Sequence, residues 1–229
     1  MVTLNGKAIK VAFDSSSFDC YFSPSEKGHS GVMVLHPWWG LNDFIRSFCD
    51  RLAKEGYSTI APDLYGGRLA STIQQAEELS SKLDGKEASR KVNAALDYVL
   101  RDKHLTGGKI GVIGFSLGAY FALVLSSTRR EVKAVVAFYG TPGNVQWEKS
   151  EASYLGHFAE TDPYESAAVV LDLENSLKSA GKKVNFYTYP GTGHWFFEND
   201  RPDAYNPNAS ELAWNRTIEF LRTTLGKSE

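Results

Sequence analysis

The segment with the clearest chemical potential is Gly114-Phe115-Ser116-Leu117-Gly118, a GxSxG pattern. It follows an apolar run at 110–113 and precedes a helix-compatible run at 119–125. In a strand-turn-helix of this kind the glycines prevent collisions, and the serine hydroxyl stands above the sheet as an exposed nucleophile. The sequence therefore predicts that Ser116 is the nucleophile of a hydrolase.

A serine nucleophile needs a base and an acid, and the chain provides both in the order nucleophile, acid, histidine. His194 ends a glycine-rich segment behind a strand-like run. Asp162 follows another strand-like run, and Pro163 keeps it out of helical geometry. Glu160 lies close by and is the second candidate for the acid. We predict a catalytic triad of Ser116, Asp162 and His194.

The triad predicts acyl transfer, in which the histidine takes the serine proton, returns it to the leaving alkoxide, and water then hydrolyses the acyl-enzyme. The oxyanion needs two N–H donors. The backbone N–H of Leu117 is the first, and the loop behind the apolar run 31–35 offers that of Trp38 as the second. Pro37 has no N–H and is excluded. His36 is expected to brace this loop.

Together these segments resemble the dienelactone hydrolase family of α/β-hydrolases. The resemblance covers nearly the whole chain, and its segments are 18–22, the predicted oxyanion loop, 61–66, the GxSxG turn, 138–140 and 193–194. It implies an α/β-hydrolase fold, with a mostly parallel central sheet, helices on both faces and no separate cap domain. It also implies that neither a metal nor an organic cofactor is needed.

Three positions depart from the best-known members of that family. Ser116 stands where they have cysteine, and Pro37 where they have a glutamate that controls the cysteine's ionisation. Glu198 stands where an arginine binds the substrate carboxylate, so we expect it to repel an anionic lactone. Arg68, near the family's other substrate-binding arginine, could still hold an anion. The prediction is hydrolysis of a small carboxylic ester or lactone other than dienelactone.

Aromatic residues in the strand-end loops predict a substrate pocket. With Arg68, the predicted substrate-binding residues are Trp39, Tyr65, Tyr139, Trp195 and Phe196. The polar segments 141–151 and 200–207 are expected as its rim.

Two kinds of alternative stay open. A thioesterase, an acyltransferase or a small-peptide hydrolase would use the same triad with a different acceptor or pocket. A non-catalytic protein that binds a small molecule is the alternative outside enzymes, although it would have no need of a complete triad.

Bulk properties are those of a single α/β domain over residues 1–229, with 42% hydrophobic residues. A net charge of −2 provides no basic field for nucleic acid. No apolar run approaches the roughly 18 residues of a membrane span. No secretory signal is evident, so a cytoplasmic location is expected. The expected partner is a small-molecule substrate, and the oligomeric state stays open.

Cys20 and Cys49 are the two cysteines, and we expect both to be reduced and buried. No metal site is predicted, because no pair of histidines or cysteines has ligand spacing.

Strand-like and helix-like runs alternate from residue 31 onward, as in a parallel sheet covered by helices. Helices are predicted at 43–55, 71–82, 86–102, 117–127, 165–180 and 209–225, and strands at 18–22, 31–35, 57–61, 109–113, 133–139, 152–158 and 183–189.

Overall fold

The computed structural model describes residues 5–26, 30–101 and 109–226. In this part of the chain eight strands form one sheet, and six helices pack around it. The strands are β1 (Lys7–Phe13), β2 (Ser16–Ser23), β3 (Ser30–Leu35), β4 (Tyr57–Pro62), β5 (Ile110–Phe115), β6 (Val132–Phe138), β7 (Ser153–Thr161) and β8 (Val184–Gly193). The helices are α1 (Asp43–Lys54), α2 (Ile73–Ser81), α3 (Gly85–Leu100), α4 (Leu117–Thr128), α5 (Ala167–Ser179) and α6 (Pro207–Leu225).

The strand order across the sheet is β1-β2-β4-β3-β5-β6-β7-β8. The pairs β1–β2 and β2–β4 are antiparallel, and every pair from β4 to β8 is parallel. The carboxyl ends of the parallel strands therefore meet at one edge, which is where open α/β sheets bind ligands.

Two apolar layers cover the faces of the sheet. Alternate residues of β3 show the division, since Val32 and Val34 pack into one layer while Met33 and Leu35 pack into the other. Helices α1 and α6 contribute to the first layer, and α3, α4 and α5 to the second. Burial on both faces explains why the central strands read as continuous apolar runs instead of alternating ones.

The predicted fold class is confirmed. Each of the six predicted helices and seven predicted strands lies at a helix or strand of the structure, with ends that differ by up to four residues. Residue 102, the predicted end of the third helix, lies outside the described residues. Strand β1 was not predicted, although Ile9, Val11 and Phe13 alternate with polar or small residues along it. Cys20 and Cys49 are free and buried, as expected.

Among the described residues, no helix is long and apolar enough to cross a membrane.

A buried carboxylate of α1 holds the antiparallel end of the sheet. Asp50 accepts hydrogen bonds from the backbone N–H groups of Asn5 at 2.8 Å and Gly6 at 3.0 Å. The hydroxyl of Tyr21, on β2, donates to the same carboxylate at 2.9 Å. Three donors from the start of the chain and from β2 thus converge on one side chain that is 5% exposed.

We expect Asp50→Ala to lower the free energy of unfolding by roughly 2–4 kcal/mol, because the buried Tyr21 hydroxyl and the Asn5 N–H lose their acceptor. The Gly6 N–H keeps the Tyr21 hydroxyl as an acceptor at 2.8 Å. Tyr21→Phe should lower it less, since the two backbone donors keep the carboxylate satisfied. Urea unfolding measures both. The matched control is Asp43→Ala on the same helix, where the aspartate side chain is 79% exposed and pairs with Arg46. An Asp50→Ala loss no larger than that of the control would contradict this role.

Candidate active site

The turn between β5 and α4 holds Ser116 in a strained backbone conformation. Its φ is 49° and its ψ is −112°, outside the regions that L residues favour. A Cβ at Gly118 would lie 2.1 Å from the carbonyl oxygen of Leu35, and one at Gly114 would lie 2.3 Å from the carbonyl oxygen of Gly118. Both positions therefore require glycine. Their close packing brings the start of α4 against the loop that follows β3.

Three side chains from the ends of β5, β7 and β8 form a hydrogen-bonded chain. The Ser116 Oγ lies 3.0 Å from the His194 Nε2, and the His194 Nδ1 lies 2.7 Å from the Asp162 Oδ2. A carboxylate can only accept, so Nδ1 carries the proton and Nε2 is free to accept from the serine hydroxyl. The His194 and Asp162 side chains are 3% and 2% exposed. The structure thus brings together the three predicted triad residues.

Asp162 is fixed by the turn that it begins. Its Oδ1 accepts from the N–H groups of Tyr164 at 2.9 Å and Glu165 at 3.1 Å, which leaves Oδ2 to face the histidine. Glu160, the other candidate acid, is exposed, and its Oε2 accepts from the N–H of Gly191. In this structure the histidine contacts Asp162 and not Glu160.

His36 braces the loop that follows β3, as expected. Its Nε2 accepts from the N–H of Leu64 at 3.1 Å, so its Nδ1 is the donor to the carbonyl of Pro37 at 2.6 Å. Full burial lowers the pKa of His36, which keeps the ring neutral in this role. The two predicted oxyanion donors, the backbone N–H groups of Leu117 and Trp38, donate no hydrogen bond to any of the described residues.

Aromatic rings surround the imidazole of His194. The ring centroids of Tyr139, Tyr164 and Trp195 lie 4.8, 4.9 and 5.0 Å from its own. Trp195 has a φ of 66°, a left-handed conformation that is uncommon for a bulky residue. The turn at 193–198 is closed by backbone hydrogen bonds from Phe196 to Gly193 and from Glu198 to Trp195. The histidine ring is therefore confined by packing as well as by Asp162.

Glu198 is a buried carboxyl group behind this turn. It is 0% exposed, and its Oε1 accepts from the Tyr139 hydroxyl at 2.8 Å. Its Oε2 makes no hydrogen bond of good geometry among the described residues, although the Trp39 indole is near enough to lower the pKa of the carboxyl somewhat. Burial raises the pKa of Glu198 to about 8, so the group is mostly protonated at neutral pH. The expectation that it repels an anionic substrate is wrong, because the carboxyl is enclosed and largely uncharged.

A groove of about 810 Å³ reaches the triad at His194. Trp39 and Trp195 line it. Trp39 is only 2% exposed and is covered by Arg201, so contact with substrate remains a prediction for Trp195. The other proposed contacts need correction, because Tyr65, Tyr139 and Phe196 are at most 2% exposed and pack in the interior. Arg68 is exposed but does not line the groove, and its Nε donates to the carbonyl of Tyr65.

The sequence analysis missed Tyr164, which follows the Asp162-Pro163 pair, and residues 71–73 before and at the start of α2, all of which line the groove. Arg201 lies in the segment 200–207, which was predicted as a rim. That segment does form one wall of the groove, from 200 to 206. The other predicted rim lines a separate groove of about 590 Å³, between residues 141–147 and α5.

The sequence and the fold are both similar to those of known proteins. Residues 18–225 match the sequence model of the dienelactone hydrolase family. "Protein usf" of Aquifex pyrophilus is 30% identical over 90% of this chain and 93% of its own length. A "Putative carboxymethylenebutenolidase" of Aquifex aeolicus is 28% identical, again over 90% of this chain and 93% of its own. The structure of a "Putative Dienelactone Hydrolase" from Klebsiella pneumoniae superposes with a TM-score of 0.83 at 20% identity, covering 94% of this chain and 97% of that one.

The burial of Glu198 predicts a pH-dependent stability. Its folded-state pKa lies above its usual value of 4.5, so the native state holds a proton that the unfolded chain has lost between about pH 4.5 and 8. The free energy of unfolding that this proton contributes is therefore fully present below about pH 4.5, and it is lost as the pH rises to about 8.

We expect Glu198→Gln to remove this slope, because the amide does not titrate. Relative to the wild type, the variant should gain roughly 2–4 kcal/mol of unfolding free energy between pH 5 and pH 9. Urea unfolding at several pH values measures the difference. Parallel stability curves for the two proteins would show that Glu198 is not a buried, protonated group.

Proposed function

The chain belongs to the dienelactone hydrolase family and is a carboxylic ester hydrolase, and from that premise we propose that it cleaves a small ester or lactone through Ser116, His194 and Asp162. The observation that carries the proposal is the continuous chain from the Ser116 Oγ to the His194 Nε2 and from the His194 Nδ1 to the Asp162 Oδ2. These are hydrogen-bond distances at which a proton can move between serine and imidazole.

In the proposed first step, the Ser116 Oγ attacks the ester carbonyl carbon while its proton passes to the His194 Nε2. The tetrahedral intermediate collapses, the bond to the leaving oxygen breaks, and the imidazolium returns the proton to that oxygen. Asp162 stabilises the imidazolium and keeps the proton on Nδ1. Water repeats the sequence on the acyl-enzyme, which releases the acid and restores the serine.

We assign the developing oxyanion to the backbone N–H groups of Leu117 and Trp38. Neither donates to another group among the described residues, and Leu117 is the first residue of α4, where helix N–H groups have no internal acceptor. The contact of Gly118 with the Leu35 carbonyl keeps the two donor segments together. The positive end of the helix dipole adds to the stabilisation of a negative oxygen.

Ser116→Ala is expected to lower kcat/KM for a short-chain p-nitrophenyl ester by roughly 10³-fold or more, because no nucleophile remains. Asp162→Asn should cost about 10²–10⁴-fold through loss of the imidazolium's partner. Steady-state hydrolysis measures both. The control is Glu160→Gln, which keeps an acceptor for the Gly191 N–H and should leave the rate within about twofold.

A fluorophosphonate probe separates the enzyme from the binding-protein alternative. We expect labelling of the wild type at Ser116 and none of Ser116→Ala, as judged by mass spectrometry of the modified peptide. A folded protein that neither hydrolyses esters nor reacts with the probe would instead favour the binding protein. A larger loss in Glu160→Gln than in Asp162→Asn would reassign the acid.

A further inference from the structure

We propose that the groove beside His194 receives the leaving group of the substrate, and that this leaving group is uncharged and flat or aromatic. The inference rests on the proposed function and adds the substrate class to it.

The position of the groove identifies which half of the ester it holds. Ser116 bonds to the acyl carbon, whereas the proton carried by the His194 Nε2 goes to the leaving oxygen. The leaving group therefore lies on the histidine side of the reacting carbon. The groove is lined by His194, and Ser116 is not among its lining residues. The group bonded to the leaving oxygen is therefore the part of the substrate that is placed to enter the groove.

The walls of the groove are suited to a flat apolar group. The Trp195 ring lies 5.2 Å from that of Trp39 and 5.6 Å from that of Tyr164. At the mouth, Ile73, Tyr164 and Tyr205 are 45%, 47% and 36% exposed although all three are large hydrophobic residues. A bound aromatic ring would cover part of this surface, at about 25 cal/mol for each Å² of apolar area removed from water.

The cation on the groove wall is already engaged. Arg201 lies with its guanidinium carbon 3.6 Å from the Trp39 ring centroid. Its terminal nitrogens donate to the carbonyl oxygens of Ser71 at 3.3 Å and Ala70 at 3.5 Å. Its Nε is buried and has no hydrogen-bond partner in the described part of the chain. These contacts fasten the 200–206 wall to the loop before α2. Arg201 therefore serves as a clamp between the two walls.

The remaining charges on the groove are negative. Asp200 and Asp203 line the same wall as Arg201, and among the described lining residues no lysine or second arginine opposes them. The Asp200 carboxylate also accepts from the Asn42 side chain at 2.7 Å, which holds it in place. An anionic leaving group would meet two carboxylates and one guanidinium, whose contacts with neutral carbonyls and the Trp39 ring leave its charge in place. The lining therefore carries a net negative charge, which opposes the entry of an anion.

The test compares two aryl acetates with the same acyl group, methyl 4-acetoxybenzoate and the anionic 4-acetoxybenzoate. Each kcat/KM is divided by the ester's hydroxide-catalysed rate constant, which removes the difference in intrinsic reactivity. We expect the neutral ester to be favoured by about tenfold or more. Equal values, or preference for the anion, would overturn the substrate class while leaving the proposed triad intact. Absence of hydrolysis of both esters, together with absence of fluorophosphonate labelling, would remove the proposed function itself.

Variants assign the preference to the groove. Asp203→Lys should raise relative activity on the anionic ester several-fold, whereas Asp172→Lys, in the separate groove against α5, should leave the ratio unchanged. Arg201→Gln should lower activity on both esters by a similar factor, because it loosens the clamp. A selective loss of the anionic ester in Arg201→Gln would show that Arg201 binds substrate anions, and would overturn the proposal.

Discussion

The structure depends on the close approach between the start of α4 and the loop that follows β3. A single carbonyl oxygen, that of Leu35, occupies the space a side chain at Gly118 would need. Ser116, two residues earlier, has a backbone conformation that costs about 1–3 kcal/mol and persists only where the surrounding structure fixes it. Ser116 and the proposed oxyanion donors obtain their relative positions from this one contact.

Confinement of the histidine is the second requirement, and it is met by packing. The His194 imidazole touches rings from three separate segments, and Asp162 directs its Nδ1. Behind it, Tyr139 donates to the buried carboxyl of Glu198, so the turn that carries the histidine is joined to the end of β6. A ring held on several sides loses little further freedom when it accepts a proton, which favours catalysis by preorganisation.

The sequence was informative where structure is determined by neighbours within a few residues. The GxSxG turn, the strand-end position of Asp162 and the glycines before His194 are local signals, and they were enough to predict the three residues that meet. The directions in which loop side chains point were not predictable, because they depend on backbone conformation and on contacts with residues distant in sequence. Tyr139 has a positive φ that accompanies its burial, and Arg68 turns back to the Tyr65 carbonyl. Arg201 belongs to the groove only because its loop folds onto residues 70–71, about 130 positions away.

The ionisable groups around the site are consistent with a serine nucleophile that relies on a histidine base. A serine hydroxyl is far from ionised at neutral pH, so it needs a base at each turnover, and a carboxylate in the oxyanion loop would be no substitute for the imidazole. Position 37 is proline, and the carboxyl of Glu198 is enclosed and mostly protonated. In the proposed mechanism proton transfer is therefore left to His194, which Asp162 orients. The Asp200 and Asp203 carboxylates lie on the groove wall. In the proposed binding mode their charge influences which leaving group can approach the histidine.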